Sequence, residues 1–250
     1  TSAAAVAKCT ANNGDIIIVM PGHAETVSAA GGLDLDVAGI TVVGIGRGTD
    51  QPTITIGTAD TADVDVDDAN ITVVNMHFRA NFLNIAAAID VNADDFSLLG
   101  CRFTEVGTNL NALIWVQDAA AGGSDRITID GCHAICLDSD NTHFVNFGGT
   151  GAGHIVRNNT LHGDWGTMCI GGAGVVTSVL VADNVIKNVA TTVDSCINFA
   201  ATATGMCVRN LAHGGAAQAN GFTGAEMAMN LNYYGVNAED LSGILDPIAT

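Results

Sequence analysis

The sequence predicts an all-β protein, a single chain wound into a right-handed parallel β-helix of about seven coils. Three segments, "DANITVVNMHFR", "NADDFSLLGCRF" and "SDRITIDGCHAI", repeat nearly the same phrase. In each phrase apolar and polar residues alternate before a glycine or asparagine, which indicates a strand followed by a turn. No amphipathic run of ten or more residues lies between the repeats, so a helical solenoid is not expected.

The turn residue of the phrase recurs through the chain with spacings of 31, 25, 31, 27, 25 and 27 residues. The residues two and four positions before it are usually apolar, so their side chains should point inward and stack in files between coils. These core residues include Ile71, Val73, Phe96, Leu98, Ile127 and Ile129. The turn residues are Gly44, Asn75, Gly100, Gly131, Asn158, Asp183 and Asn210.

A second short strand precedes most of these turns. It is seen in the alternating segments "LDLDV", "DVDVD", "AIDVN", "LIWVQ", "MCIGG" and "SCINF". Two or three short strands cannot bury an apolar face alone, but stacked coils close a continuous core.

The N-terminal segment "SAAAVAKCTANNGDIIIVMPGHAETV" resembles the start of pectate-lyase-like β-helices. The resemblance implies a capping helix over residues 3–9, a turn at Gly14 and Asp15, a strand over Ile16–Val19 and a turn at Pro21 and Gly22. A cap covers apolar side chains and strand edges at the end of the barrel. The chain as a whole also resembles small β-helix structural and decoration proteins of tailed, often marine, bacteriophages, through its "PGH-E" start and "AGITVVG"-type coils.

The C-terminal part departs from the repeat. We expect one β-helix domain over residues 1–237, with a strand over 227–233 as its last rung, and a separate tail over 238–250. This region concentrates apolar and aromatic side chains outside the repeats, so it should cover the barrel end or dock on a partner. The candidate interface residues are Tyr233, Tyr234, Leu241, Ile244 and Leu245.

Charge limits the possible partners. The chain has 26 Asp and Glu against eight Lys and Arg, a net charge of −18. Such a surface repels phosphate backbones and anionic membranes, so neither is an expected partner. No apolar stretch is long enough to span a bilayer, and the first residues lack the features of a signal peptide. The chain starts without a methionine, so residues before Thr1 are not excluded.

Acidic residues align when the coils are superposed on the turn residues. Asp34, Asp65 and Asp90 form one outward ladder, and Asp36, Asp67 and Asn92 form a second one beside it. Neighbouring coils lie about 4.8 Å apart, so like charges there need solvation, raised pKa values or a bound cation. Solvation and a Ca²⁺ or Mg²⁺ site both stay open. The candidate metal ligands are Asp34, Asp36, Asp65, Asp67 and Asp90, and no other cofactor is expected.

Enzymatic alternatives find weaker support. Lyases of this fold pair calcium-bound aspartates with an Arg or Lys base. Five of the six arginines, Arg79, Arg102, Arg126, Arg157 and Arg209, occur one per coil and show no common register. Aromatic platforms for sugars are scarce. His162 and Asp164 could form a general acid–base pair, or they could be surface residues of a turn. No catalytic residue is therefore assigned.

Cysteines also share register. Cys101 and Cys132 each follow a turn residue, and Cys169 and Cys196 occupy equivalent places in neighbouring coils. Their spacing allows either a stack of interior thiols or disulfides.

The resemblance and the composition together predict a non-enzymatic bacteriophage virion protein, either a capsid decoration or a tail-associated component. It would be a rigid acidic rod, assembled in the host cytoplasm as a homo-oligomer, with a trimer favoured, and bound to other virion proteins. A carbohydrate-active β-helix enzyme, lyase or hydrolase, or a receptor-binding module remains the alternative.

Overall fold

The computed structural model describes residues 1–107, 109–118, 123–190, 196–214, 222–224 and 226–235. These residues form a parallel β-solenoid of about eight turns with one short N-terminal helix. The predicted fold class is confirmed, with one turn more than the sequence indicated. No helix among the described residues is long and apolar enough to cross a membrane.

Three parallel sheets run along the solenoid, and each turn contributes one strand to each sheet. Sheet A contains β1 (Ile16–Val19), β4 (Thr41–Gly44), β7 (Thr72–Val74), β10 (Ser97–Leu99), β13 (Thr128–Asp130), β17 (Ile155–Arg157), β21 (Val179–Ala182), β24 (Thr204–Val208) and β27 (Glu226–Asn230). Sheet B contains β2 (Ala24–Val27), β5 (Thr53–Gly57), β8 (His77–Asn81), β11 (Arg102–Glu105), β14 (His133–Cys136), β18 (Thr160–Gly163), β22 (Val185–Asn188), β25 (Leu211–His213) and β28 (Tyr233–Gly235).

Sheet C contains β3 (Leu33–Leu35), β6 (Val64–Val66), β9 (Ile85–Val91), β12 (Ala112–Asp118), β15 (His143–Phe147), β19 (Ile170–Gly172), β23 (Ile197–Phe199) and β26 (Phe222–Thr223). A further small pair joins β16 (Gly151–Ala152) and β20 (Val176–Thr177), and a 3-10 turn spans Gly48–Asp50. The predicted alternating segments lie on sheet C. Sheet B is formed by the third strand of each coil. Its outer face was not predicted from the sequence.

The core forms because one side of every strand points into the solenoid. In sheet A, Val73, Leu98 and Ile129 are neighbours in successive strands. All six core residues expected from the sequence are buried, with at most 4% of each exposed. Both tryptophans, Trp115 and Trp165, are fully buried as well. The prediction of inward files is confirmed.

The turns after sheet A use the left-handed backbone conformation that asparagine and glycine adopt most easily. Five of the seven expected turn residues have positive φ angles there. Gly44 does not, and the last expected turn residue is wrong by one position. Arg209 takes the left-handed conformation, with φ of 54°, because Asn210 points inward and is buried. Leu231, with φ of 54°, makes an equivalent turn one coil later, which the sequence did not indicate.

Asn210 belongs to a ladder of asparagines that stack inside the turns of the last coils. In each step the side-chain oxygen of one asparagine accepts hydrogen bonds from the backbone and side-chain nitrogens of the preceding one. For Asn159 and Asn184 these distances are 3.1 and 2.9 Å, and Asn184 and Asn210 repeat them at 3.0 and 2.9 Å. The ladder ends at Asn232. In earlier coils the same position holds Cys101 and Cys132, which are buried thiols.

The helix α1 (Ser2–Val6) lies at the start of the solenoid, as the resemblance implied, but is shorter than the expected 3–9. Its N-cap is Thr1, whose side chain accepts a hydrogen bond from Ala4 N–H. Val6 is buried against the first coil. The chain leaves the helix at Ala7 because the following residues are held by Asp15, whose carboxylate accepts from Thr10 N–H at 2.7 Å.

Candidate functional site

The acidic ladder is present on the outer face of sheet C. Asp34 pairs in register with Asp65, and Asp65 with Asp90. The file then continues with uncharged residues, beginning with Gln117, so the ladder covers three coils. Asn92 follows the same strands and donates a hydrogen bond from its side-chain amide to Asp67 at 2.9 Å. The predicted alignment of these aspartates is confirmed.

Stacking changes the acidity of these carboxyl groups. Partial burial, and then the charges of Asp63, Asp67, Asp90 and Asp34, raise the pKa of Asp65 to about 6. Burial is also the main cause that raises the pKa of Asp34 and of Asp90. One carboxyl oxygen of each of these two residues is buried without a hydrogen-bond partner among the described residues. The ladder is therefore a strip of carboxyl groups that hold protons more tightly than usual.

The calcium hypothesis stays a prediction. Among the residues that the structure describes, no group of three or more His, Cys, Asp or Glu side chains is arranged to hold a metal ion. Some of the flanking aspartates have other partners: Asp63 accepts from Gly31 N–H at 2.6 Å, and Asp94 and Asp95 pair with Arg126. Asp34, Asp36, Asp65, Asp67 and Asp90 remain the ligands that such an ion would use.

Sheet B carries a face that the sequence reading missed, because His, Arg and Lys side chains concentrate there. We call the outward residues of β8, β11, β14, β18, β22 and β25 the basic face. None of them is acidic. They are His77, Arg79, Asn81, Arg102, Thr104, His133, Ile135, Thr160, His162, Val185, Lys187, Leu211 and His213.

The charges on the basic face influence one another. Burial, and then Arg102 and Arg79, lower the pKa of His77 to about 4. Burial, and then Lys187 and His133, lower the pKa of His162. As expected, Arg79 and Arg102 share no register, since Arg102 aligns with His77 and Arg79 with Thr104, but both lie close enough to His77 to lower its pKa. They were overlooked because they occupy two alternate outward positions of the same sheet, two and four residues after the turn.

The other arginines differ in their pairing. Arg126 forms ion pairs with Asp94, Asp95 and Asp125 at 2.6–3.3 Å. Arg157 pairs with Asp130 at 2.8 Å and Arg209 with Asp183 at 2.6 Å, in each case across neighbouring coils. These three guanidinium groups are neutralised locally.

An open depression of about 230 Å³ lies beside the basic face, lined by Glu105, Gly107, Ile135, Leu137 and Asp138. Its carboxylates hold the surrounding turn. Glu105 accepts hydrogen bonds from the backbone N–H groups of Leu137 and Asp138 and from the Asn141 side chain, at 2.6–3.1 Å. Burial nevertheless raises the pKa of Glu105. Asp138 accepts from the backbone N–H groups of Asn109 and Asp140.

The proposed acid–base pair has a different setting. His162 points outward on β18, whereas Asp164 follows the strand, and no hydrogen bond between their side chains is found in the described part of the chain. Burial, and then Asp138, raise the pKa of Asp164. Because both tryptophans are in the core, neither offers a surface on which a sugar ring could stack.

Sheet A has an outer face without charge over its first four strands, which we call the apolar face. Its outward residues are Ile16, Ile18, Thr41, Val43, Thr72, Val74, Ser97 and Leu99. Ile16 and Ile18 are 63% and 57% exposed. The other six residues are half-buried and three of them are Thr or Ser, so Ile16 and Ile18 are the exposed apolar side chains of this face. Partners often bind where apolar side chains are exposed together.

The predicted C-terminal interface is described only in part. Tyr233 is 40% exposed and lies in register with Leu211, which in turn pairs with Val185. The Tyr234 side chain, Leu241, Ile244, Leu245 and the whole segment 238–250 lie outside the described residues. The expected last rung over 227–233 is two strands, β27 and β28, because the chain turns at Leu231.

Comparisons with known proteins do not extend these observations. The chain matches no protein-family model, no curated protein and no solved structure. The resemblance to pectate-lyase-like and phage β-helices therefore rests on the sequence pattern alone.

Proposed function

We propose that the chain is a non-enzymatic structural protein, a rigid acidic β-solenoid that is mounted on a larger assembly as a homo-oligomer, with a trimer favoured. The virion of a tailed bacteriophage is the assembly that its sequence style favours. The observation that carries the proposal is the apolar face, which leaves Ile16 and Ile18 largely exposed and carries no charge over four coils.

Charge makes this face the natural contact. Two molecules with a net charge of −18 repel each other wherever acidic surfaces meet. An uncharged strip lets apolar area leave water without bringing carboxylates together. Burial of a large aliphatic side chain contributes about 1.5–3 kcal/mol, so a few such residues suffice for stable association.

The arrangement of polar groups supports a structural role. The carboxylates of Glu105 and Asp138 are already engaged by backbone N–H groups, which fix a turn. The buried asparagine ladder and the interstrand pairs of Arg157 and Arg209 likewise join coil to coil. These groups make the solenoid stiff rather than reactive.

The test uses the full chain and the double variant Ile16→Ser, Ile18→Ser. We expect the wild type to sediment as an oligomer at physiological salt, and the variant to associate at least about 100-fold more weakly. Its circular dichroism should not change, because both side chains point outward. A matched control, Leu83→Ser with Val106→Ser, removes two other exposed apolar side chains (49% and 42% exposed) and should leave association intact. A wild type that stays monomeric would contradict the proposal.

A carbohydrate-active enzyme is the second candidate, favoured by one observation. The depression at Glu105 holds a carboxyl group with a raised pKa next to exposed Ile135 and Leu137. Reducing-end release from a panel of polysaccharides, compared between wild type and Glu105→Gln, tests it. Release that depends on Glu105 would replace the structural proposal.

A further inference from the structure

The basic face carries positive charge that the molecule itself does not neutralise. Arg79, Arg102 and Lys187 have no carboxylate partner among the described residues, whereas Arg126, Arg157 and Arg209 all do. The face spans six strands of sheet B and contains no acidic side chain. In a chain with 26 acidic residues and eight Lys and Arg, unpaired cations gathered on one face call for an anionic partner.

A complementary surface exists on the same chain. The acidic ladder on sheet C presents Asp34, Asp65 and Asp90 one coil apart. On the basic face Arg79 and Arg102 lie on adjacent strands and follow the same spacing of about 4.8 Å between coils, whereas Lys187 lies three strands further along. Two solenoids lying side by side can therefore bring these two guanidinium groups against two neighbouring carboxylates of the ladder.

Neither surface satisfies the other within one molecule. Sheets B and C face different directions from the same coils, and no ion pair joins them in the described part of the chain. Guanidinium and ammonium groups are the donors that carboxylates accept best.

We propose that the basic face of one copy docks on the acidic ladder of a second copy. Because the contact joins two different surfaces, it is heterologous, and it either closes into a ring or continues as a filament. It uses neither Ile16 nor Ile18, so it is independent of the apolar face that carries the proposed function. A nucleic acid is disfavoured by the charge of the rest of the molecule.

The first experiment measures self-association by sedimentation velocity in the Ile16→Ser, Ile18→Ser background, which removes the apolar contact. At about 10 mM salt the Debye length is about 30 Å, and at 1 M it is about 3 Å. We expect oligomers at the lower salt concentration and monomers at the higher one. Failure here with success of the apolar-face test would reject this inference and leave the proposed function standing.

The second experiment exchanges the charges. Chain one carries Arg79→Glu, Arg102→Glu and Lys187→Glu, and chain two carries Asp34→Lys, Asp65→Lys and Asp90→Lys. Each alone should associate at least about tenfold more weakly than the parent, whereas an equimolar mixture should associate again, because each mutated face meets its complement. Milder Gln and Asn versions of the two sets should each weaken association. On mixing them, only the intact basic face of chain two and the intact ladder of chain one can pair, so dimers should form but no larger assemblies.

A charge-matched control replaces the three paired arginines, Arg126, Arg157 and Arg209, by glutamate. It changes net charge by the same amount as chain one but leaves the basic face intact, so association should fall less than in chain one. An equal loss would reduce the effect to net charge and overturn the proposal. A parent protein that stays monomeric at low salt would also overturn the proposal. If that monomeric protein binds heparin, a sulfated glycan, the basic face would be assigned to an anionic glycan instead.

Discussion

Replacing Asp65 by asparagine should stabilise the protein at neutral pH. Asp65 lies in the middle of the acidic ladder, with Asp34 and Asp90 as its neighbours on either side. Asparagine has nearly the same shape but carries no charge. The variant therefore removes like-charge repulsion and the cost of partly burying a carboxylate, while the strand pairing remains.

The size of the effect follows from the pKa of Asp65, which rises from 3.8 to about 6 in the folded chain. At about 1.4 kcal/mol per pKa unit this shift corresponds to about 3 kcal/mol. The side chain is only partly buried, so solvent screening lowers the expected gain to about 1 kcal/mol. A gain of that size raises Tm by a few degrees in a chain of this length.

The sign depends on pH. Between pH 4 and pH 6 the folded chain holds a proton on Asp65 that the unfolded chain has lost, so this residue's contribution to stability falls as pH rises through that range. The advantage of Asp65→Asn should thus be largest at pH 7 and vanish near pH 4. Buried histidines such as His77 titrate in the same range, but they are common to both proteins and cancel in the difference.

Urea unfolding followed by circular dichroism at pH 4, 5, 6 and 7 measures this difference. Asp183→Asn is the control of opposite sign, because hydrogen bonding to Arg209 lowers the pKa of Asp183, and its loss should reduce stability at pH 7. If Asp65→Asn proves neutral or destabilising at pH 7, the ladder carboxylates do not repel one another in the way described.

Four further outcomes are expected. Phe96→Ala, which empties a core position, should cost about 3–5 kcal/mol by urea unfolding. Asn184→Ala removes the partners of Asn159 N–H and the Val156 carbonyl and should cost about 2–4 kcal/mol, whereas Asn92→Ala on the surface should change stability by less than about 0.5 kcal/mol. If the ladder holds Ca²⁺, EDTA should lower Tm at low ionic strength in the wild type but not in Asp65→Asn; an unchanged curve leaves only solvated carboxylates. Deleting residues 238–250 should leave the circular dichroism nearly intact while abolishing oligomerisation or particle binding, and a truncated chain that still assembles normally would contradict the predicted role of the tail.

The rungs of sheets A and C were predictable because burial of one strand face imposes a period of two. Phe96 and Leu98 reveal their direction through their spacing from Gly100. The acidic ladder followed from the same registration. The position of the last turn could not be predicted in this way, since asparagine is the residue that usually takes the left-handed conformation. At Arg209 and Asn210 the asparagine is needed inside the ladder, so arginine takes the strained position.

The basic face shows a second limit. Its strands alternate as regularly as the others, as in "HFRAN", and all lie at a constant distance after the turns. His77 and Arg102 occupy the position two residues after the turn, and Arg79 and Lys187 the position four residues after it. A cluster whose members are divided between these two positions does not stand out when residues at one distance from the turn are compared. The depression at Glu105 depends on how the loop 137–141 folds back, and the repeat pattern of the sequence does not predict the path of a loop.

The asparagine ladder also gives the solenoid an order of construction. The N–H of Cys132 points inward, and its acceptor within the described residues is the side-chain oxygen of Asn159, at 2.8 Å, one coil later. In the same way, the N–H of Asn159 donates to the side-chain oxygen of Asn184, and the N–H of Asn184 donates to that of Asn210. On a ribosome, where the chain emerges from its N-terminus, each coil therefore exposes an unpaired inward amide until the next coil has been synthesised and laid upon it. In this part of the molecule, the inward hydrogen bonds of each coil are therefore completed only when the following coil folds.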